Sequence, residues 1–120
     1  MVTVVIDDER TFDTDIDVIY LRSSDEALAW LAKWWLRNIS RPMGAEEEGL
    51  QELWFDHDLG EGDDASVIAK FLMELNLRGE LPMIKSIKVH SQNPVGARNL
   101  ADLLHGCALY VRTSSLPNLK

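Results

Sequence analysis

Cysteine is nearly absent from this chain. Cys107 stands alone, so no internal disulfide can form, and a reducing, cytoplasmic setting is expected. Long apolar runs are absent as well. None approaches the roughly 20 residues that cross a bilayer, so no membrane span is expected. The N-terminus has no basic stretch leading into an apolar block, the pattern of a secretory leader. Basic residues are outnumbered, 12 Lys and Arg against 20 Asp and Glu, for a net charge of −8. That balance speaks against tracking a long nucleic-acid backbone, which needs clustered cations. A small anionic ligand in one local pocket remains compatible with it, the more so with a divalent cation beside it. There are no internal repeats and no low-complexity segments.

What is present suits one domain over residues 1–120, with a loosely ordered tail at 114–120. With 46% apolar residues, a chain of this length buries a core without staples. Val2–Ile6 (VTVVI) is a β-branched run that reads as a buried strand, and Val18–Leu21 is a second, short one. Ser23 with Glu26 forms a capping box for a helix to about Asn38, its apolar side Ala27, Leu28, Leu31, Trp34 and Trp35. Residues 40–49, polar and with Pro42 and Gly44, form a loop. A third strand runs from Leu50 into Asp56-His57-Asp58. The next helix starts near Ala65, with Val67, Ile68, Phe71, Leu72 and Leu75 on one face, and Gly79 and Pro82 end that region. Ile84–Val89 is a fourth strand. Asn93-Pro94 starts a third helix, Gly106 ends it, and Ala108–Arg112 is the last strand.

This alternation implies an α/β three-layer sandwich around a mostly parallel five-stranded sheet. The first two strands are joined by too few residues for a helical crossover. An extended crossing that keeps the pair parallel is preferred to an antiparallel pair.

The chemically capable residues follow the strands. Asp7, Asp8 and Arg10 come after the first, Asp56, His57 and Asp58 after the third, and His90, Ser91 and Asn93 after the fourth. In a parallel sheet these groups emerge at one carboxyl edge, and the order 2-1-3-4-5 makes the first and third strands neighbours where open α/β sheets bind ligands. Four clustered carboxylates repel unless a positive charge sits among them. Arg10 is one answer. A Mg²⁺ or Mn²⁺ ion held by carboxylates is another, and the histidines widen the choice to other transition metals. Free N–H groups of the third helix offer an anion site, with Arg98 in its second turn. Singly, each feature has a plainer explanation: a solvated turn for the Asp pair, a core hydrogen bond for His90, a helix cap for Asn93, a solvated run for Glu46–Glu48. The tryptophans read as core and not as a stacking platform. Coincidence at one edge is what favours a site for a phosphate-containing small molecule.

The segments IDDER, LWFDHDLG and KVHSQNPVGARNL, spread over most of Val2 to Leu104, resemble the cyclic-phosphate-processing receiver domain family of bacteria and phages. The resemblance implies a receiver-like, flavodoxin-like fold with the first helix reduced or absent. It implies that Asp7 and Asp8 match the acidic metal-binding pair and Asp56 the phosphoacceptor position. Asp58 falls where a receiver offers a metal-binding carbonyl, and His90 or Ser91 lies near its switch hydroxyl. The last-strand lysine of receivers has no clear match, which counts against phosphorelay signalling. The expected activity is hydrolysis of a cyclic phosphate on a nucleotide or nucleotide-derived small molecule. His57, His90 and Asp56 would be catalytic, Arg10, Ser91, Asn93 and Arg98 would hold the substrate, and Asp7, Asp8 and Asp58 a divalent metal. The competing expectation is a non-catalytic module binding a phosphate-bearing ligand or a protein.

Overall fold

The computed structural model describes residues 2–9, 17–56, 59, 65–91 and 94–114. Strands β1 (Val2–Ile6), β2 (Val18–Leu21), β3 (Leu50–Asp56), β4 (Ile84–His90) and β5 (Tyr110–Ser114) form one sheet of order β2-β1-β3-β4-β5. Every neighbouring pair is parallel. The expected order is therefore observed, and so is the parallel β1–β2 pair. Most of the link between those two strands, residues 10–16, lies outside the described residues, and the expectation about a first helix falls there. The last strand lies two residues later than expected, at Tyr110–Ser114. The turn at the end of the preceding helix runs on through Gly106, at φ +91, and Cys107, whose N–H bonds the Leu104 carbonyl.

Three helices, α1 (Ser24–Ile39), α2 (Ser66–Leu77) and α3 (Pro94–Leu103), connect β2 to β3, β3 to β4 and β4 to β5. Each connection steps across the sheet in the same direction, so right-handed crossovers put all three on the same face, and among the described residues the second helix layer of the expected three-layer sandwich is not seen. Val4, Ile6, Leu53, Phe55, Ile87 and Val89 fill that face against Ala27, Leu31, Trp34, Ile68, Leu72 and Leu100. Ser23 caps α1 as expected, its Oγ accepting from the Glu26 N–H at 3.1 Å. Helix α2 ends in a Schellman turn: Gly79, at φ +71, donates to the Asn76 carbonyl while the Glu80 N–H reaches back to that of Leu75. Val67 is exposed, because α2 turns Ile68, Ala69, Leu72 and Leu75 inward.

The loop after α1 is tied down more firmly than its composition suggests. The Asn38 side chain grips the backbone of Glu48 on both sides, donating to its carbonyl at 3.1 Å and accepting from its N–H at 2.7 Å. Trp34 Nε1 donates to the same carbonyl at 2.6 Å. The Glu48 side chain is solvated, as expected of an acidic run, and its backbone closes the loop onto the helix.

Candidate functional site

The sheet face away from the helices carries different chemistry. Strand register places Tyr20, Val5, Trp54, Lys88 and Arg112 in one row across it. The next row toward the carboxyl edge holds Asp56 beside His90, and Asp7, which continues β1 through an N–H bond to the Leu21 carbonyl at 3.0 Å. A two-residue period sends alternate side chains to this face, so apolar runs that feed the core also deliver these polar ends.

Asp7 and His90 are fully buried and Asp56 nearly so. His90 Nε2 lies 3.1 Å from Asp7 Oδ2, although β3 separates their strands. The other oxygen of Asp7 accepts from the Glu9 N–H at 2.9 Å, closing an Asx turn that ends β1. Asp7, Asp56 and His90 each turn one ligand atom inward, all within 4.8 Å of one another. Two carboxylate oxygens and an imidazole nitrogen at this spacing fit a divalent cation, and the donor set suits Mn²⁺ or another first-row ion as well as Mg²⁺.

Of the residues expected at the site, Asp7, Asp56 and His90 are thus brought together. Asp8, next in the chain to Asp7, is half-buried and stands outside that trio. Ser91 follows His90 at the end of β4 and is half-buried, and Arg98 is exposed on α3. Arg10, His57, Asp58 and Asn93 lie outside the described residues.

The family model of the cyclic-phosphate processing receiver domain matches residues 2–106. The chain belongs to that family. Among solved structures, the Mn²⁺-bound form of the response regulator Rcp1 is similar at 17% identity over 94% of this chain and 81% of that one, with a TM-score of 0.43. No curated protein matched the sequence.

Two features of this cyclic-phosphate processing receiver domain escaped the sequence reading. Trp54 is on the site face and not in the helix-side core: its ring meets His90 edge-on, with centroids 6.0 Å apart, and Lys88 Nζ sits 4.5 Å from its centroid. Lys88 also pairs with Glu52 at 3.5 Å, and Trp54 Nε1 donates to the same carboxylate. Arg22 is the second. It follows β2 directly, donates from Nη1 to the Asp7 carbonyl at 3.2 Å, and lies over the Tyr20 ring at 4.9 Å. The rule that singled out residues after strands β1, β3 and β4 applies equally to β2 and would have found it.

Proposed function

We propose that this domain hydrolyses a cyclic phosphate on a nucleotide or nucleotide-derived small molecule at the carboxyl edge of its sheet. The observation that carries the reading is the buried trio Asp7, Asp56 and His90 at the ligand-binding edge of a chain in this family. Opening the ring forms a bond from a water oxygen to phosphorus and breaks the bond to one ribose oxygen. One proton must leave the water and one must reach the departing oxygen. Histidine suits both transfers near neutral pH, and His90 and His57 are assigned to them. The contact with Asp7 orients the His90 ring. Asp56, beside His90 in register, orients the water.

Asp7 and Asp56 would hold a divalent ion, with Asp8 and Asp58 as the neighbouring carboxylates. When bound, the ion supplies positive charge against the phosphoryl oxygens. Arg10, Ser91, Asn93 and Arg98 are assigned to the substrate.

Phosphorus NMR of the protein with a panel of cyclic phosphates, with Mn²⁺ or Mg²⁺ and again with EDTA, tests the reading. Conversion to a monoester that is lost in His90→Ala supports hydrolysis, and the EDTA sample reports on the metal. A folded protein that binds these compounds and converts none is a binding module.

A further inference from the structure

We propose that Arg22, seated on the Tyr20 ring, is an anion subsite that takes the phosphoryl oxygens of the ligand. This rests on the reading of the edge as a site for a phosphate-bearing molecule, and it names the group that recognises the phosphate.

Position comes first. Tyr20 pairs with Val5 and Leu21 with Ile6, so the next step along β2 sets Arg22 beside Asp7, in the row that holds Asp56 and His90. The 3.2 Å bond from Nη1 to the Asp7 carbonyl fixes that proximity. Charge comes next. Asp7 and Asp56 are buried side by side at an edge where Asp8 and Glu9 also emerge, and an incoming phosphate is repelled unless a cation meets it. A guanidinium is permanently charged, and its planar fork matches two phosphoryl oxygens.

Preorganisation is the third point. A free arginine loses much rotamer freedom when it grips a ligand. Arg22 is held from below by an aromatic face at 4.9 Å and from the side by a backbone carbonyl, so less of that loss is left for the binding event. The plainer account is that Arg22 only offsets the charge of its acidic neighbours. The two accounts differ in what its removal does: charge balance alone moves stability, whereas a subsite moves phosphate affinity.

The experiment uses inorganic phosphate and a panel of cyclic phosphates on the full chain, comparing wild type with Arg22→Gln, Arg22→Lys and Tyr20→Leu. Phosphate binding is read from phosphorus line width, turnover from monoester formation, and folding from circular dichroism. The expected result is at least a ~10-fold weaker phosphate affinity in Arg22→Gln, with KM raised by a similar factor where turnover is seen. Arg22→Lys, which keeps charge without the fork, should fall between, and Tyr20→Leu should show a smaller loss. If Arg22→Gln does not fold, the Lys and Tyr20 variants carry the test, and unchanged phosphate affinity in both sinks the proposal. Turnover by wild type with unchanged affinity and KM in the Arg22 variants overturns the subsite while leaving hydrolysis standing. Binding lost in Arg22→Gln from a wild type that converts nothing supports the subsite and removes hydrolysis. A wild type that binds neither inorganic phosphate nor any of the cyclic phosphates, and converts none, overturns both.

Discussion

His90 Nε2 and Asp7 Oδ2 meet at 3.1 Å with both side chains wholly shielded from solvent, across a strand that lies between them. A buried carboxylate deprived of its donor costs more than an exposed one, about 1.5–3 kcal/mol for a hydrogen bond to a charged group. His90→Ala should therefore destabilise the fold by about that amount or more, since it also opens a cavity. His90→Gln can present an amide N–H near the place of Nε2 and should recover much of the stability. Glutamine transfers no proton, so turnover should stay lost. Urea unfolding and monoester formation, measured on both variants, separate the two roles. A Gln variant that still turns over would make His90 a positioning residue only.

Asp56 is expected to trade stability for binding. It sits nearly buried beside a second carboxylate, where burial and mutual repulsion both disfavour the charged forms. Asp56→Asn keeps the shape and removes one charge. Without metal its melting temperature should rise by a few degrees, about 4–8 °C for each 1 kcal/mol in a small domain. Wild type should gain about 2.7 kcal/mol when Mn²⁺ reaches 100 times its Kd, and the variant little or none. Thermal melts with Mn²⁺ and with EDTA check this. A variant that responds to Mn²⁺ as wild type does would remove Asp56 from the metal site.

The parallel sheet was legible because VTVVI and VIYL are short apolar, β-branched runs, IKSIKV is a short β-branched segment between turn signals, helical patterns separate most of the strands, and polar residues stop each strand at the same end. Asp7, Asp56 and His90 could be singled out for that reason. Their mutual reach could not, since the His90–Asp7 contact spans 83 positions and depends on how far one ring leans over β3. Trp54 was misplaced because type and hydropathy put a tryptophan in a core, whereas the parity of β3 sends position 54 to the face opposite Leu53 and Phe55. Arg22 was passed over because a lone arginine after a four-residue strand looks like a solvated turn. The strand-end rule, carried to β2, reaches it, and the carbonyl of Asp7 and the ring of Tyr20 show how it is held.

Asn38 should matter to stability and not to chemistry. Its amide donates to the carbonyls of Trp34 and Glu48 and its oxygen accepts from the Glu48 N–H, at the end of the sheet away from the site. Asn38→Ala should cost about 1–3 kcal/mol by leaving partly buried backbone groups without this partner. Asn38→Asp should cost more than Ala, because it replaces a donor by a charge facing two carbonyls. Urea unfolding ranks the two, and turnover per folded molecule should match wild type in both. Equal stability of the Ala and Asp variants would show that the donor function is not what holds the loop.

Cys107 gives the chain a pH dependence of known sign. The thiol is buried, and burial pushes its pKa up from the ordinary value because the thiolate would lose its water. The unfolded chain therefore releases this proton first as pH rises. The stability tied to the protonated thiol is complete at neutral pH, and it is lost through the alkaline range above the ordinary thiol pKa. Labelling by a thiol-specific reagent at neutral pH should be slow in the native protein and fast in urea. Denaturant midpoints of wild type should fall on moving into the alkaline range more steeply than those of Cys107→Ala, which lacks the group. Parallel profiles for the two proteins would show that the thiol contributes nothing to the alkaline loss, and rapid native labelling would mean that this turn opens far more readily than its packing implies.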